Sequence, residues 1–380
     1  MNTFCSYYNQ KICSSCKKIE VPYETQIQNK SNQLLKLIPQ LNSSILEPPV
    51  LSPNQGFRNK AKFSVTGSVE QPIIGLTGEE DLDLGREINN CPLHHPVINE
   101  IIQKLPTFIH LAKLVPYQIK SQTGELKGVI VYYSSESQEM FLRLILRSKE
   151  SLDRLRKYKD ELLKLHPSLT CFSANIQPIA HAILEGDEEI YFTDKHFIHH
   201  QMSTISMTLD PQGFIQTNQE MAVKLYSTAA QWVKELSPST FVELFSGQGA
   251  FSFFVAPMVK RAIGIEINSQ AVERANQTAL LNNWPHLTFI AQDAANGESQ
   301  LADLKPDVLL VNPPRRGLGS TIDLIKKLKS PYVIYSSCQA ETLAQDLSKL
   351  KDIYQIKKVQ IFDMFPHTDH FETLVLLQLI

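Results

Sequence analysis

Strict alternation of strand-like and helix-like segments after Asn218 limits this chain to few folds. Short apolar runs, each ending in glycine, proline or polar residues, alternate with segments of helical periodicity. Such alternation predicts a parallel sheet covered by helices on both faces, a doubly wound α/β fold. Ligands in these folds bind beyond the carboxyl ends of the strands, so the residues that follow each strand are the candidates for a site.

The sequence before this alternation has a different texture. Residues 59–210 mix short β-rich runs with two helical patterns, which is typical of an α+β domain. The proline-rich stretch between Pro39 and Pro53 predicts an irregular connector. At roughly 150 residues per domain, the chain divides into a small N-terminal module (1–58), a central α+β domain (59–210) and a C-terminal α/β domain (211–380).

Composition and charge exclude several classes of protein. A chain that is 43% hydrophobic and 20% charged is neither disordered nor fibrous. No run approaches the ~18 uncharged apolar residues of a membrane span, and the N-terminus lacks the apolar core of a signal peptide, so a cytoplasmic protein without membrane contact is expected. The net charge of −2 requires any RNA partner to bind a local basic patch. Nothing indicates an obligatory protein partner, and we expect a monomer.

Two glycines mark the first strand-to-helix turn of the C-terminal domain. The segment E-L-F-S-G-Q-G places Gly247 and Gly249 where the backbone can turn tightly beside a ligand. Ser252 stands where a dinucleotide fingerprint would have its third glycine, which argues against NAD. Glu266 ends the next strand, where an acid commonly accepts hydrogen bonds from ribose hydroxyls. Together with Asn312 at the end of a later strand, these residues resemble the class I S-adenosylmethionine-dependent methyltransferases.

A cysteine and a carboxylate follow in the last part of the chain. Cys338 comes directly after the strand P-Y-V-I-Y-S-S, at the same sheet edge as Asn312. A lone cysteine at a strand end is more often a small buried residue, but the helix that follows predicts a lowered thiol pKa through its dipole. His367, His370 and Glu372 are predicted to lie in a turn before the last strand, where a carboxylate could act as a general base. The pair favours a nucleophilic role for the cysteine.

Six motifs carry a resemblance to one enzyme family over nearly the whole chain. The segments F-I-Q-T-N, E-L-F-S-G-Q-G, G-I-E-I, N-P-P-R-R-G, S-S-C-Q and D-M-F-P-H-T-D-H-F-E occur in the order found in RNA uracil-C5 methyltransferases. Many members have an aspartate where Asn312 stands. The asparagine and the N-terminal cysteines are similar to the branch that methylates a loop uridine of 23S ribosomal RNA.

The resemblance implies an activity and a role for each motif residue. The chain is expected to transfer a methyl group from S-adenosylmethionine to carbon 5 of a uridine in 23S ribosomal RNA. Cys338 would add to carbon 6 of the uracil, and Glu372 would remove the proton from carbon 5. The residues expected to bind S-adenosylmethionine are Gln216, Phe245, Glu266 and Asn312. The alternatives are a uridine of tRNA or another ribosomal position and, against the pairing of Cys338 with Glu372, a ribosome-assembly factor that binds RNA without catalysis.

Four cysteines in the first quarter of the chain predict a metal site. Two residues separate Cys13 from Cys16, while Cys5 precedes them and Cys91 follows far downstream. Four thiolates in a cytoplasmic protein bind either tetrahedral zinc or a [4Fe–4S] cluster, and the spacing leaves both open. The family resemblance favours the iron–sulfur cluster, in a structural or RNA-positioning role that joins the N-terminal module to the helix after Cys91. Cys171 is interpreted as a core strand residue.

Basic side chains supply the candidate RNA contacts. Arg58, Lys60 and Lys62 form one short basic run, and Arg315 and Arg316 follow a strand end near the reacting groups. The last two are the stronger candidates for binding phosphate, because they lie within reach of the target base. A loop uridine must leave its stack to react.

Overall fold

The computed structural model describes residues 3–42, 44–78, 80–179, 185–294 and 304–380. They form two compact units. The first comprises described residues of Met1–Cys16, Asn54–Gln201 and Thr208–Gly213, and the second those of Lys17–Pro53, Met202–Met207 and Phe214–Ile380. The segment 1–58, predicted as a separate module, is therefore shared between the two units.

The first unit is built on a seven-stranded mixed sheet with the strand order β3-β2-β1-β4-β5-β6-β7. All neighbouring strands run antiparallel except β5 and β6, which are joined by a crossover helix, as a parallel pair requires. The elements in chain order are α1 (Ser6–Asn9), β1 (Lys60–Gly67), β2 (Pro72–Thr77), β3 (Gly85–Glu87), α3 (Pro96–Leu111), β4 (Leu126–Ser134), β5 (Glu139–Leu146), α4 (Leu152–Leu163), β6 (Leu169–Ile176) and β7 (Glu188–Tyr191).

The apolar core of this unit lies on one face of its sheet. Alternate side chains of β1, such as Phe63 and Val65, pack with Ile98 and Ile102 of α3 and with Leu155 of α4. A separate two-stranded sheet pairs β8 (Ile198–Met202) with β9 (Ile205–Leu209). The mixture of strands and helices predicted for the central domain is thus seen.

The second unit is a doubly wound sheet with the strand order β12-β11-β10-β13-β14-β16-β15. The order reverses direction between β10 and β13, the position at which such folds bind ligands. The elements are α2 (Tyr23–Leu37), α5 (Gln219–Leu236), β10 (Thr240–Leu244), α6 (Ala250–Val255), β11 (Arg261–Glu266), α7 (Ser269–Leu281), β12 (Leu287–Ala291), β13 (Val308–Val311), α8 (Thr321–Leu328), β14 (Tyr332–Ser337), α9 (Ala340–Leu350), β15 (Tyr354–Phe362) and β16 (Glu372–Leu379).

One strand departs from the predicted parallel sheet. Strand β16 inserts between β14 and β15 and runs antiparallel to both. Its first residue therefore lies at the sheet edge where the parallel strands have their carboxyl ends. This reversal delivers Glu372 to the edge that also carries Cys338.

Helices cover both faces of this second sheet, as predicted. One face packs against α5, α6 and α7, and the opposite face against α2, α8 and α9. Each strand contributes alternate side chains to the two cores, so Ile334 of β14 faces the first layer and Val333 faces the second.

Helix α2 is held to the second unit by a buried ion pair. The ammonium Nζ of Lys30 lies 2.5 Å from Oδ1 of Asp363, and these side chains are 3% and 0% exposed. The hydroxyl of Tyr23 donates to Oδ2 of the same carboxylate at 2.7 Å. The predicted irregular connector also takes part in the fold, because Leu46 and Val50 form β-bridges to β15. Within the described ranges, no helix is long and apolar enough to cross a membrane.

Candidate active site

Cys338 and Glu372 lie at adjacent ends of two neighbouring strands. The last pair in the antiparallel register of β14 and β16 is Ser337 with Thr373; Cys338 follows Ser337 directly, and Glu372 precedes Thr373 as the first residue of β16. The negative charge of Glu372 accordingly acts on the Cys338 thiol. The two residues singled out as nucleophile and base are thus brought together.

Glu372 is a buried carboxyl with one close hydrogen-bond donor. Its side chain is 3% exposed, and burial raises its pKa to about 7. The hydroxyl of Ser336 donates to Oε1 at 2.8 Å, which opposes the rise because it stabilises the ionised form. A carboxyl with a pKa near neutrality can both accept and release a proton under physiological conditions.

The Cys338 thiol differs from the sequence-based expectation. The dipole of α9 was expected to lower its pKa, but burial and the charge of Glu372 raise it. Arg315 acts in the opposite direction, through its charge and through a hydrogen bond to the sulfur. The structure therefore places Arg315 beside the thiol, although the sequence suggested a phosphate contact.

Two of the four residues expected to bind S-adenosylmethionine, Phe245 and Glu266, lie at the carboxyl ends of β10 and β11. Glu266 accepts the backbone N–H of Gly247 on Oε2 and that of Asn268 on Oε1, both at 3.0 Å. These bonds fix the carboxylate against the glycine turn. Phe245 begins that turn with a φ of 60°, a left-handed conformation that non-glycine residues adopt rarely and often at functional sites.

Glycine is required at one position of this turn. Gly249 has a φ of 84°, and a Cβ atom there would lie 2.3 Å from the ring of Phe289. Any other side chain would displace that ring or the loop. The turn is thus held close to β12.

The other two residues expected to bind S-adenosylmethionine, Asn312 and Gln216, lie elsewhere in the second unit. Asn312 follows β13, is half-buried, and donates its backbone N–H to Leu244 O at 3.3 Å. Gln216 is half-buried and lies two residues before Asn218, the N-cap of α5. The Asn218 amide donates to Ser52 Oγ at 2.8 Å, which ties this stretch to the segment after α2.

Comparison with known proteins identifies the family. The family model described as tRNA (Uracil-5-)-methyltransferase matches residues 22–380. The chain belongs to this family. The uracil-5-methyltransferase family is the one that the six motifs indicated, and the α/β methyltransferase fold is confirmed.

Two relatives that match over almost their full length share one name. A protein of Photorhabdus laumondii is 39% identical over 376 residues, which cover 99% of each chain, and one of Proteus mirabilis is 41% identical over 368 residues, which cover 97% of each. Both are named 23S rRNA (uracil(747)-C(5))-methyltransferase RlmC, the branch that the motifs resemble.

A solved structure shares the fold over almost the full length. The Pyrococcus abyssi tRNA (uracil-54, C5)-methyltransferase, solved in complex with S-adenosyl-L-homocysteine, aligns with a TM-score of 0.79. The alignment covers 96% of this chain and 86% of that one at 23% identity.

The four N-terminal cysteines all belong to the first unit. Burial and the charges of Cys91, Cys13 and Cys5 raise the pKa of the Cys16 thiol to about 12, so the other three thiols all act on Cys16. Among the described residues, however, no group of three or more His, Cys, Asp or Glu side chains is arranged to hold a metal ion. The predicted iron–sulfur module is therefore not confirmed.

The basic run near Arg58 takes part in contacts inside the first unit. Lys62 Nζ lies 2.8 Å from Oε1 of Glu185, and burial lowers the pKa of Lys60. The charge of Arg58 opposes the rise in pKa that burial causes at the Cys16 and Cys91 thiols. Lys62 thus has a partner within the first unit, whereas Arg316, which follows β13 in the second unit, is exposed.

Sequence reasoning missed several groups around the reacting pair. Ser336 and Tyr226 were not singled out, although the charge of Glu372 reaches Tyr226 of α5. Glu243, in β10, is also buried, and its pKa is raised to about 8 by burial. A signal for Ser336 existed, because a residue two positions before Cys338 on a strand must share its face.

Proposed function

We propose that this chain methylates carbon 5 of a uridine in 23S ribosomal RNA, with S-adenosylmethionine as the methyl donor. The proximity of Cys338 and Glu372 at the ends of β14 and β16 carries the proposal, because uracil-C5 methylation needs a nucleophile and a base beside one ring. The full-length relatives support the choice of substrate, since they are named for uracil 747 of 23S rRNA.

The first step uses the thiolate of Cys338. Carbon 5 of uracil is too weak a nucleophile to take a methyl group unaided. Addition of the Cys338 sulfur to carbon 6 moves the π electrons towards carbon 5 and the carbonyl at carbon 4, giving an enolate. Arg315 stabilises the thiolate through its hydrogen bond and positive charge, against the burial and the Glu372 charge that disfavour it.

The second step places the methyl group and then frees the enzyme. S-adenosylmethionine supplies an electrophilic methyl group on a sulfonium. The electron pair at carbon 5 forms the new carbon–carbon bond, and S-adenosylhomocysteine leaves. Glu372 then removes the proton from carbon 5; that electron pair restores the double bond, and the thiolate of Cys338 is expelled from carbon 6.

Four residues hold the methyl donor in this proposal. Glu266, fixed by two backbone N–H groups, binds the ribose hydroxyls. Phe245 and Gln216 lie along the nucleoside and the methionine, and Asn312 lies near the reacting end. Phe245 and Asn312 follow β10 and β13, the two strands between which the strand order reverses, and this is where such folds bind ligands.

Two substitutions test the reacting pair. Incubation with hypomethylated rRNA and radiolabelled S-adenosylmethionine should show no transfer and no covalent adduct for Cys338→Ala. Glu372→Gln should transfer the methyl group yet remain bonded to RNA, because elimination is blocked. The matched control is Cys171→Ala, a cysteine buried in the first unit, which should behave like wild type. Transfer at the wild-type rate by Cys338→Ala would overturn the mechanism.

A tRNA uridine is the competing substrate. The matching family model and the Pyrococcus structure both carry tRNA in their descriptions. Unmodified 23S rRNA and unmodified tRNA should be offered to the enzyme separately, and the products mapped by mass spectrometry. We expect 5-methyluridine at one rRNA position only. Modification of tRNA alone would reassign the substrate and leave the mechanism intact.

The proposal extends to the four N-terminal cysteines. Cys5, Cys13, Cys16 and Cys91 would hold a [4Fe–4S] cluster that secures the start of the first unit. The other three thiols each raise the pKa of Cys16, which supports a shared site. Four thiols suit this cluster or zinc. Anaerobic purification should give a brown protein with iron and sulfide. A colourless preparation that contains zinc would favour zinc instead.

A further inference from the structure

The first unit contains a cavity of about 610 Å³ that none of the predicted functional residues lines. This volume is within the range of small-molecule sites in proteins. The side chains that define its chemistry are Phe4, Gln55, Asn90, Asn99, Glu100 and Gln103. Phe4 and Ser6 flank Cys5, and Asn90 and Pro92 flank Cys91, so the cavity lies beside the predicted metal site without being lined by the four cysteines themselves.

Helix α3 holds one wall of the cavity in place. Asn99 and Gln103 are four residues apart on this helix and therefore share a face. Asn99 is 8% exposed, and its amide donates to Asn90 Oδ1 at 3.2 Å and to Cys91 O at 3.0 Å. Gln103 donates to the backbone carbonyl of Asn89 at 3.2 Å. These bonds orient amide groups before any ligand arrives, which lowers the entropy cost of binding.

The charge of the cavity excludes a phosphate ligand. Glu100 is an exposed carboxylate, and the described lining residues include no lysine or arginine. A neutral to acidic cavity repels an anion.

Amides and an aromatic ring match the edges and the face of a nucleobase. Asparagine and glutamine side chains can donate and accept together, as base edges require. Phe4 is 41% exposed at the cavity and offers a stacking surface. Proteins that recognise single-stranded RNA combine these two features for splayed-out bases.

We propose that this cavity binds one unstacked nucleobase of the substrate RNA, at a nucleotide other than the methylated uridine. The proposal rests on the proposed function, since it takes RNA as the substrate. The base stacks on Phe4 and is bonded at its edge by Gln103 and Asn90. Its capture anchors the RNA loop on the first unit.

The test combines protein variants with single abasic nucleotides in the rRNA substrate. Phe4→Ala should weaken RNA binding roughly tenfold, because base–aromatic stacking contributes about 1–3 kcal/mol per base. Gln103→Ala, on a different element, should also weaken binding. Both should raise KM for RNA and leave kcat near the wild-type value. The matched control is Phe197→Ala, a 36% exposed phenylalanine of the same unit that does not line the cavity.

The abasic scan identifies the bound base. At one position outside the target, loss of the base should weaken wild-type binding and have no further effect on Phe4→Ala. The absence of any such position, or wild-type affinity in both variants, would overturn the proposal. Wild-type methyl transfer, measured in the same assay, reports separately on the proposed function. If the wild type transfers the methyl group fully but no abasic position depends on Phe4 in this way, the proposal for the cavity fails and the proposed function stands.

Discussion

The hydroxyl of Ser336 donates a hydrogen bond to Oε1 of Glu372 across 2.8 Å in the interior of the second unit. Ser336 is 0% exposed and lies in β14, two residues before Cys338. The charge of Glu372 also acts on Tyr226 of α5 and on the Cys338 thiol. Ser336 is thus the donor that both orients the proposed base and favours its ionised form.

Ser336→Ala should slow elimination more than addition. Without the donor, the pKa of Glu372 rises above about 7, so less of the base form is present at neutral pH. Since a hydrogen bond to a charged group contributes about 1.5–3 kcal/mol, we expect elimination to slow about ten- to a hundredfold. Denaturing gels should show a methylated protein–RNA adduct that accumulates near pH 7 and declines as the pH rises.

Ser337→Ala is the matched control for that experiment. The Ser337 hydroxyl donates to Gln339 O and points to the opposite face. Ser336→Thr, which keeps a hydroxyl, should restore turnover. Equal adduct levels in the two alanine variants would contradict a specific role for Ser336.

Arg315→Gln should move the ionisation of Cys338 to higher pH. Arg315 lowers the pKa of this thiol by charge and by a hydrogen bond, and both effects weaken in the variant. The measurement is the rate of iodoacetamide modification of the Cys338 peptide against pH, in the absence of RNA. Arg316→Gln is the control and should leave this pH–rate curve unchanged. An unchanged curve for Arg315→Gln would mean that the Arg315 guanidinium does not act on the thiol.

Glu243→Gln should remove part of the loss of stability at alkaline pH. Burial raises the pKa of Glu243 from 4.5 to about 8, so the native state holds a proton that the unfolded chain releases. The corresponding stabilisation is complete below pH 4.5 and is lost as the pH rises through about 8. Thermal unfolding at pH 5, 7 and 9 should show a higher relative Tm for the variant at pH 9.

The control for this pH dependence is Glu235→Gln. Glu235 is an exposed carboxylate paired with Lys358, and its pKa is lowered. Its replacement should not produce a gain that grows with pH. Parallel curves for wild type and Glu243→Gln would show that Glu243 is ionised in the native protein at all three pH values.

Lys30→Met should destabilise the second unit strongly. It leaves the carboxylate of Asp363 buried without its cation, a change that typically costs about 3–5 kcal/mol. Lys18→Met breaks only the exposed pair with Asp369, with an expected cost of about 0–1 kcal/mol. Urea unfolding of both variants compares the two costs; equal midpoints would mean that the buried pair contributes no more than the exposed one.

The sequence predicted the arrangement of the strands near Cys338, because the alternation of side chains along a strand and the position of a residue at a strand end determine it. Alternation along a strand places every second residue on one face, and parallel strands share a carboxyl edge, so Cys338 and Asn312 could be assigned to one edge in advance. The antiparallel insertion of β16 could not be predicted, because nothing in its apolar run specifies which strands it will pair with.

Electrostatic details depended on contacts that spacing does not reveal. The dipole of α9 alone favours a thiolate at Cys338, yet burial and the charge of Glu372 outweigh it. The sequence predicts that Arg315 binds phosphate, because spacing does not reveal that its side chain points to the Cys338 sulfur. The docking of α2 was missed for the same reason, since its partner Asp363 lies 333 positions away.

That separation has a consequence for biosynthesis. At about 5–20 residues per second, a ribosome delivers Asp363 roughly 20 to 70 seconds after Lys30. During this interval the apolar side of α2 has no core to join and its lysine has no counter-ion. The catalytic unit therefore cannot mature progressively from its N-terminus, and its final closure must await nearly complete translation.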